Sequence, residues 1–335
     1  MPFLFDQKTI CPACPFGICI EDRRLNPVRG RKTLFRLRQH VALQCTFGEF
    51  VPGTDNDPDP TRTFDEYLAQ FRSNANGAGR IHFGRKYKLA PAALAKVEGD
   101  VFELIEAAAL WNAFAVWNRF METGRWKSNV YTAPPDAVPT PTRRVAAVKL
   151  PRGYDTTRLF RDEVRREVLA FEASLTRREM ELGLSAPDIV GVRLPYPLPK
   201  ELQPFLDPLS NLGEAGRASL ETMYQQLEGQ LEGRSFLFAL AVKRTTRSDR
   251  LYQPLFEANV LKFLIERVLR GAAFRFYVHM GSLEGADVEG HYSAASLISL
   301  MRGGDFTRAI DGTFHAERPA EAVQAILNDL TLFPL

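Results

Sequence analysis

Two residues of this 335-residue chain, Asp188 and Lys243, have the types and setting needed to hydrolyse a phosphodiester bond at a metal site. That chemistry needs a carboxylate to hold a divalent cation against the phosphate. A second carboxylate or a backbone carbonyl completes the shell, and a positive group orients the attacking water or stabilises the charge that develops. Mg²⁺ takes few carboxylates and keeps several waters, so the expected signature is sparse. Pro187-Asp188 opens one strand candidate, and Lys243 follows directly on an apolar run ending in Ala241-Val242. If the two strands are neighbours, both side chains emerge at one place on a sheet. Taken singly, each signal is weak. Pro58-Asp59 and Pro135-Asp136 also occur, in loop-like stretches, and a lysine after an apolar strand is common.

The usual nuclease pattern carries an acid two residues before the lysine, where this chain has Ala241. A substitute is Glu257, expected in the first turn of a following helix that would run from Pro254 to Leu269, with Pro254 tolerated at its start. A further acid, Glu103, shares a helix face with Lys96 and Asp100 by its spacing. Alone, such a face is more often solvated. Between lysine and Glu257 lies Arg247-Ser248-Asp249-Arg250. Arginine reads guanine through O6 and N7, and Asp accepts from cytosine N4, so this segment could read adjacent G and C bases. Asp249 could equally hold an arginine in its reading rotamer, and a surface loop of paired charges has the same composition.

The elements that must position these residues follow from apolar periodicity. The longest helical signal runs from Ala92 to Glu122, with Val97, Val101, Leu104, Ala108, Trp111, Ala115 and Phe120 near helical period. Its acids Glu98, Asp100, Glu103 and Glu106 lie in the half that the helix dipole favours. Shorter helices are expected over Leu34–Leu43, Asp162–Leu182 and Ala218–Glu232. Strands are expected over Val145–Leu150, Asp188–Leu194, Ser235–Val242 and Phe274–His279. The third is continuously apolar, as in a strand buried on both faces. Val51–Arg62, Tyr131–Arg144 and Pro195–Asn211 read as loops. Helices alternating with buried strands imply a mixed α/β sheet.

Hydrophobic residues make up 45% and charged residues 25%, ordinary values for a globular protein, and the net charge of +3 by itself identifies no partner. Basic residues crowd two stretches, Arg23–Arg38 and Lys243–Arg250. Cys11-Pro-Ala-Cys14 has half the spacing of a zinc knuckle, but Cys19 and Cys45 complete no familiar module, so free thiols are expected. No secretory segment and no apolar run long enough to span a membrane is evident, which points to a cytoplasmic protein.

This arrangement resembles the CCGG family of type II restriction endonucleases. That family places Pro-Asp far upstream, moves the second carboxylate to the next helix, and reads CCGG with an Arg-x-Asp-Arg segment. The matching elements are Pro187-Asp188, Ala241-Val242-Lys243, Arg247-Ser248-Asp249-Arg250 and Glu257. Similarity is strongest over residues 243–260, 96–118, 26–31, 46–53 and 150–155, and weakest over 54–90, 195–230 and the C-terminal tail. It leaves Cys11 and Cys14 unexplained.

The resemblance implies a restriction endonuclease-like PD-(D/E)XK fold, a mixed β-sheet flanked by helices. It implies a catalytic domain over 51–335 with an N-terminal arm over 1–50 packed on it or on a partner. It also implies Mg²⁺ as cofactor, with Mn²⁺ able to substitute, and a homodimer or larger assembly on double-stranded DNA. Asp188 would be the central metal ligand, joined by Glu103 and the backbone carbonyl of Val242. Lys243 would contact the scissile phosphate and the attacking water, and Glu257 would act directly or through water. Arg247, Asp249 and Arg250 would read the CCGG core, Arg31 the flanking pairs, and Lys96 would touch the backbone near the cut. Two rivals share parts of the pattern: a sequence-independent repair or recombination nuclease, and a DNA-binding protein that does not cut.

Overall fold

The centre of the molecule is an eight-residue strand, Phe236–Lys243 (β3), every residue of which is buried. A strand flanked on both edges and covered on both faces has no use for alternating polarity, which explains the continuous apolar run. The computed structural model describes residues 39–83, 85, 91–177, 179, 186–245, 248–269, 274–283, 287–294, 296 and 307–333. Within them, Val145–Lys149 (β1), Ile189–Arg193 (β2), β3, Arg275–Met280 (β4) and Gly312–Phe314 (β5) form one sheet in chain order. The β1–β2 and β2–β3 pairs are antiparallel, and the β3–β4 and β4–β5 pairs are parallel. The expected mixed α/β sheet is therefore present, and the four expected strands fall within a residue or two of their expected bounds.

The helices are Gln39–Phe47 (α1), Phe64–Phe83 (α2), Pro91–Thr123 (α3), Asp162–Thr176 (α4), Glu214–Thr222 (α5), Ser248–Lys262 (α6), Val288–Tyr292 (α7) and Pro319–Asp329 (α8). α3 lies against β1, β3 and α8, and α6 against β3 and β4. From Val101 to Trp117 nearly every α3 side chain is buried, so this helix is apolar all round, as a helix enclosed by other elements must be. Its few polar side chains act as clamps. Asn118 Nδ2 donates to Val145 O and its Oδ1 accepts from Val145 N, both at 2.8 Å, so the amide takes the place of a strand partner at the start of β1. Asn112 grips Leu209 in the same way.

Gly191 sits opposite Phe238 on the neighbouring strand. A Cβ there would lie 1.9 Å from the Phe238 ring. Glycine thus lets that ring fold over β2 and pack with Phe114, Tyr277 and Phe333.

Several expectations need correction. α6 begins at Ser248, not Pro254, so Pro254 lies inside it and Glu257 in its third turn. The Arg-Ser-Asp-Arg segment therefore runs into the first turn of α6 and is not wholly a loop. The helix read as Leu34–Leu43 is described only from Gln39 and runs on to Phe47. Ala218–Glu232 is no single helix: α5 ends at Thr222 and a 3₁₀ turn follows over Met223–Leu227. Local apolar spacing cannot separate these cases, since a 3₁₀ turn carries a similar pattern. Helix α2 and strand β5 had no clear sequence signal. Cys45 is disulfide-bonded, against the expectation of free thiols, because pairing depends on Cβ proximity that spacing does not reveal. Cys11, Cys14, Cys19 and most of the N-terminal arm lie outside the described residues. No described helix is long and apolar enough to cross a membrane.

Candidate active site

Antiparallel pairing sets the start of β2 beside the end of β3, with Ile189 opposite Leu240. Asp188 stands just before β2, and its Oδ2 accepts two hydrogen bonds, from Val242 N and from Lys243 Nζ, both 2.7 Å. Its own carbonyl accepts from Leu150 N at 3.0 Å, so Asp188 is anchored to the strands on both sides. The Lys243 side chain is only 4% exposed and that of Asp188 18%. A desolvated ammonium of this kind needs its carboxylate, and the carboxylate gains a fixed rotamer in return.

Glu103 joins from α3. It is buried and forms an ion pair with Lys149, the last residue of β1, which faces Ile189 in register. Burial pushes the Glu103 carboxyl above the usual carboxylate range, the Asp188 charge pushes it further, and Lys149 pulls it back. Two carboxylates in one another's field are thus held together with two lysines, and a divalent cation would relieve their repulsion. Among the described residues no three His, Cys, Asp or Glu side chains converge as a metal cage. Two carboxylates beside a backbone carbonyl are nevertheless the kind of oxygen donors a Mg²⁺ site uses, so the residues present fit that ion.

Glu257 is 1% exposed in the third turn of α6. Its Oε1 accepts from Gln253 Nε2 at 2.7 Å, and burial together with the Glu257 charge raises the Tyr292 phenol. Gln253 lies one turn earlier on α6 and Tyr292 ends α7, while α6 itself packs on β3 and β4. Ala241 is wholly buried, so a carboxylate at that position would enter the core. Lys96 lies in the second turn of α3 and Asp249 and Arg250 in the first turn of α6, but these three side chains are outside the described residues. Arg247 and Arg31 lie outside them altogether.

The structure adds charged residues that spacing gave no reason to choose. Lys149 is one: it ends an apolar strand, as Lys243 does, but nothing near it in sequence marks it. Arg244 is another. It pairs with Glu98 of α3 and lies 3.8 Å from Asp65 of α2, while Arg72 of α2 reaches the same Glu98 at 3.1 Å. Below them, His279 of β4 and Glu106 of α3 form a fully buried pair, Nδ1 to Oε2 at 2.5 Å. The acids of α3 therefore serve as partners for other elements, and the dipole reading of them was incomplete. Arg244 and Thr245 also line a cleft of about 890 Å³ bounded by Asp65, Phe102 and Ser282.

Among the solved structures that match are two that cover 97% of this chain and 98% of their own. They are the type IIF restriction endonuclease Bse634I with cognate DNA, and Bse634I restriction endonuclease, each at 18% identity and a TM-score of 0.72. At that identity the likeness speaks for the fold, a restriction endonuclease sheet flanked by helices. No curated protein matches the chain. The family model described as Cfr10I/Bse634I restriction endonuclease matches residues 46–331, most of the molecule. The chain belongs to the Cfr10I/Bse634I restriction endonuclease family, and with it to the type II enzymes that cut DNA at specific sites.

Proposed function

We propose that this enzyme is a Mg²⁺-dependent nuclease that cleaves both strands of a palindromic DNA site with a CCGG core, leaving 5′ extensions. The similarity of the reading segment and of the Arg31 segment extends the proposal to an SgrAI-like site, CR/CCGGYG. The observation that carries the reading is the double grip on Asp188 Oδ2 by Val242 N–H and the Lys243 ammonium. It supports a site in which one carboxylate and one lysine are fixed at a strand junction before substrate arrives.

Asp188 and Glu103 would hold the cation, with the Val242 carbonyl as a further ligand and Glu257 completing the shell directly or through water. The bound ion would polarise the scissile phosphate and lower the pKa of the attacking water. Lys243, held out of solvent, would donate to a phosphate oxygen or to that water and so stabilise charge in the transition state. Water would attack in line with the departing 3′ oxygen. Arg247, Asp249 and Arg250 would read the core base pairs from the junction of the β3 exit with α6. Lys96 would contact the backbone near the cut.

Two copies related by a two-fold axis would present the same reading segment to each half of a palindrome. The catalytic domain would span 51–335, with 1–50 as an arm on it or on the partner, and the enzyme would act in the cytoplasm. Cleavage mapping on a plasmid with Mg²⁺ tests the reading. Cuts confined to CCGG-containing sites are expected. Cuts at sequences without CCGG would sink the specificity, and an intact plasmid would sink the activity.

A further inference from the structure

Lys149 is absent from every role assigned above, yet its ammonium touches a proposed metal ligand. We infer that Lys149 is a stand-in cation of the metal-free site, which holds Glu103 beside Asp188 and gives it up when a divalent ion enters. The inference rests on the proposal that Asp188 and Glu103 bind that ion.

The placement is set by the sheet. Lys149 faces Ile189 across β1–β2, and the next residue, Leu150, donates its N–H to the carbonyl of Asp188. Lys149 is therefore bound by backbone to the strand start that carries the central ligand. Its side chain is 16% exposed and reaches Oε1 of Glu103, itself 11% exposed. Neighbouring charges are otherwise matched. Lys243 answers Asp188 at 2.7 Å, and Arg152, just beyond β1, answers Asp100 of α3 at 2.7 Å. Lys149 thus has Glu103 as its described ion-pair partner, and the four groups at the site balance as two positive and two negative charges.

An ion bound by Glu103 competes for the oxygen that Lys149 holds. A single positive charge a few ångströms from a divalent one is repelled even in a solvated setting. Charge balance in the absence of metal and metal entry therefore draw on the same carboxylate. Lys149 is a positioning residue in this account: it keeps two like charges assembled until the ion arrives.

Two measurements on the full-length protein test this. In the wild-type enzyme, trace reductive methylation read by mass spectrometry should show Lys149 more reactive, by about threefold or more, after Mg²⁺ is added, because the freed amine gains solvent. Unchanged labelling at Mg²⁺ levels that support binding overturns the inference. Separately, Mn²⁺ titration followed by electron paramagnetic resonance should show Lys149→Met binding the ion about tenfold tighter, while Lys149→Arg stays within about twofold of wild type. Equal or weaker Mn²⁺ binding by Lys149→Met also overturns it. Failure of both wild type and Lys149→Met to bind Mn²⁺ would instead remove the metal reading itself, and the inference with it.

Discussion

Neutralising Asp188 and Lys243 together should damage folding less than neutralising either alone. In Lys243→Met the Asp188 carboxylate keeps the Val242 N–H but loses its counter-charge while only 18% exposed. Breaking a buried pair by removing one partner costs about 3–5 kcal/mol, and the remaining hydrogen bond and partial exposure put this variant near the lower value. Asp188→Asn leaves an ammonium that is 4% exposed without a carboxylate, which puts it near the upper value. In the double variant the asparagine oxygen still accepts from Val242 N–H, and methionine fills most of the lysine volume, so the cost falls to about 1 kcal/mol. The coupling is then several kcal/mol, well above the roughly 0.5 kcal/mol error of additive sites. For a chain of this length each kcal/mol moves the melting point by about 1–2 °C, so either single variant should melt several degrees below the double one. The assay is urea and thermal unfolding in EDTA, so that no cation bridges the carboxylates. Coupling below about 0.5 kcal/mol would refute the claim that the pair is a desolvated unit. All three variants should lose cleavage, by about a hundredfold or more for Lys243→Met, since a preorganised donor to transition-state charge is gone.

Glu103→Gln should remove a pH dependence. The folded protein holds the Glu103 proton more tightly than the unfolded chain does, through burial and then Asp188. Its contribution is therefore fully present below the ordinary glutamate range and lost as pH rises through the raised value. In EDTA, the stability of Glu103→Gln relative to wild type should climb across that window; a flat or falling difference in urea melts would be the refuting result. Gly191→Ala should cost about 2–3 kcal/mol, because the new methyl enters the Phe238 ring, and a melting point equal to wild type would show that the ring can move. Arg250→Ala should weaken binding to CCGG-containing DNA by about 1–3 kcal/mol in a titration with Ca²⁺ in place of Mg²⁺, with little change on unrelated DNA. An unchanged affinity for CCGG sites would remove Arg250 from the reading segment.

What the sequence could tell depended on whether a residue's neighbours lie nearby along the chain. β3 was readable because burial on both faces leaves an uninterrupted apolar run, and α3 because its apolar residues recur over many turns. The meeting of Asp188 with Lys243 was readable only as a condition, that the two strands be neighbours, and the β2–β3 register meets it. Lys149 could not be chosen, since its significance comes from α3 crossing the end of β1. The start of α6 was misjudged because Pro254 looks like a helix beginning. The chain tolerates it well inside the helix, where proline forgoes one backbone hydrogen bond.

That misplacement changes the argument about the missing acid. A glutamate in the first turn of a helix faces the loop before it, whereas Glu257 in the third turn is buried beside Gln253, in a helix that packs over β3 and β4. The core cannot accept a carboxylate at Ala241 without displacing packed apolar neighbours, because that position is fully enclosed. A buried glutamate from an adjacent helix would avoid this, and Gln253, one turn earlier, supplies a donor for it. The position of Glu257 relative to Asp188 then depends on how α6 packs on β3. The first turn of α6 carries Asp249 and Arg250, so the base reading proposed for them would share one helix with Glu257.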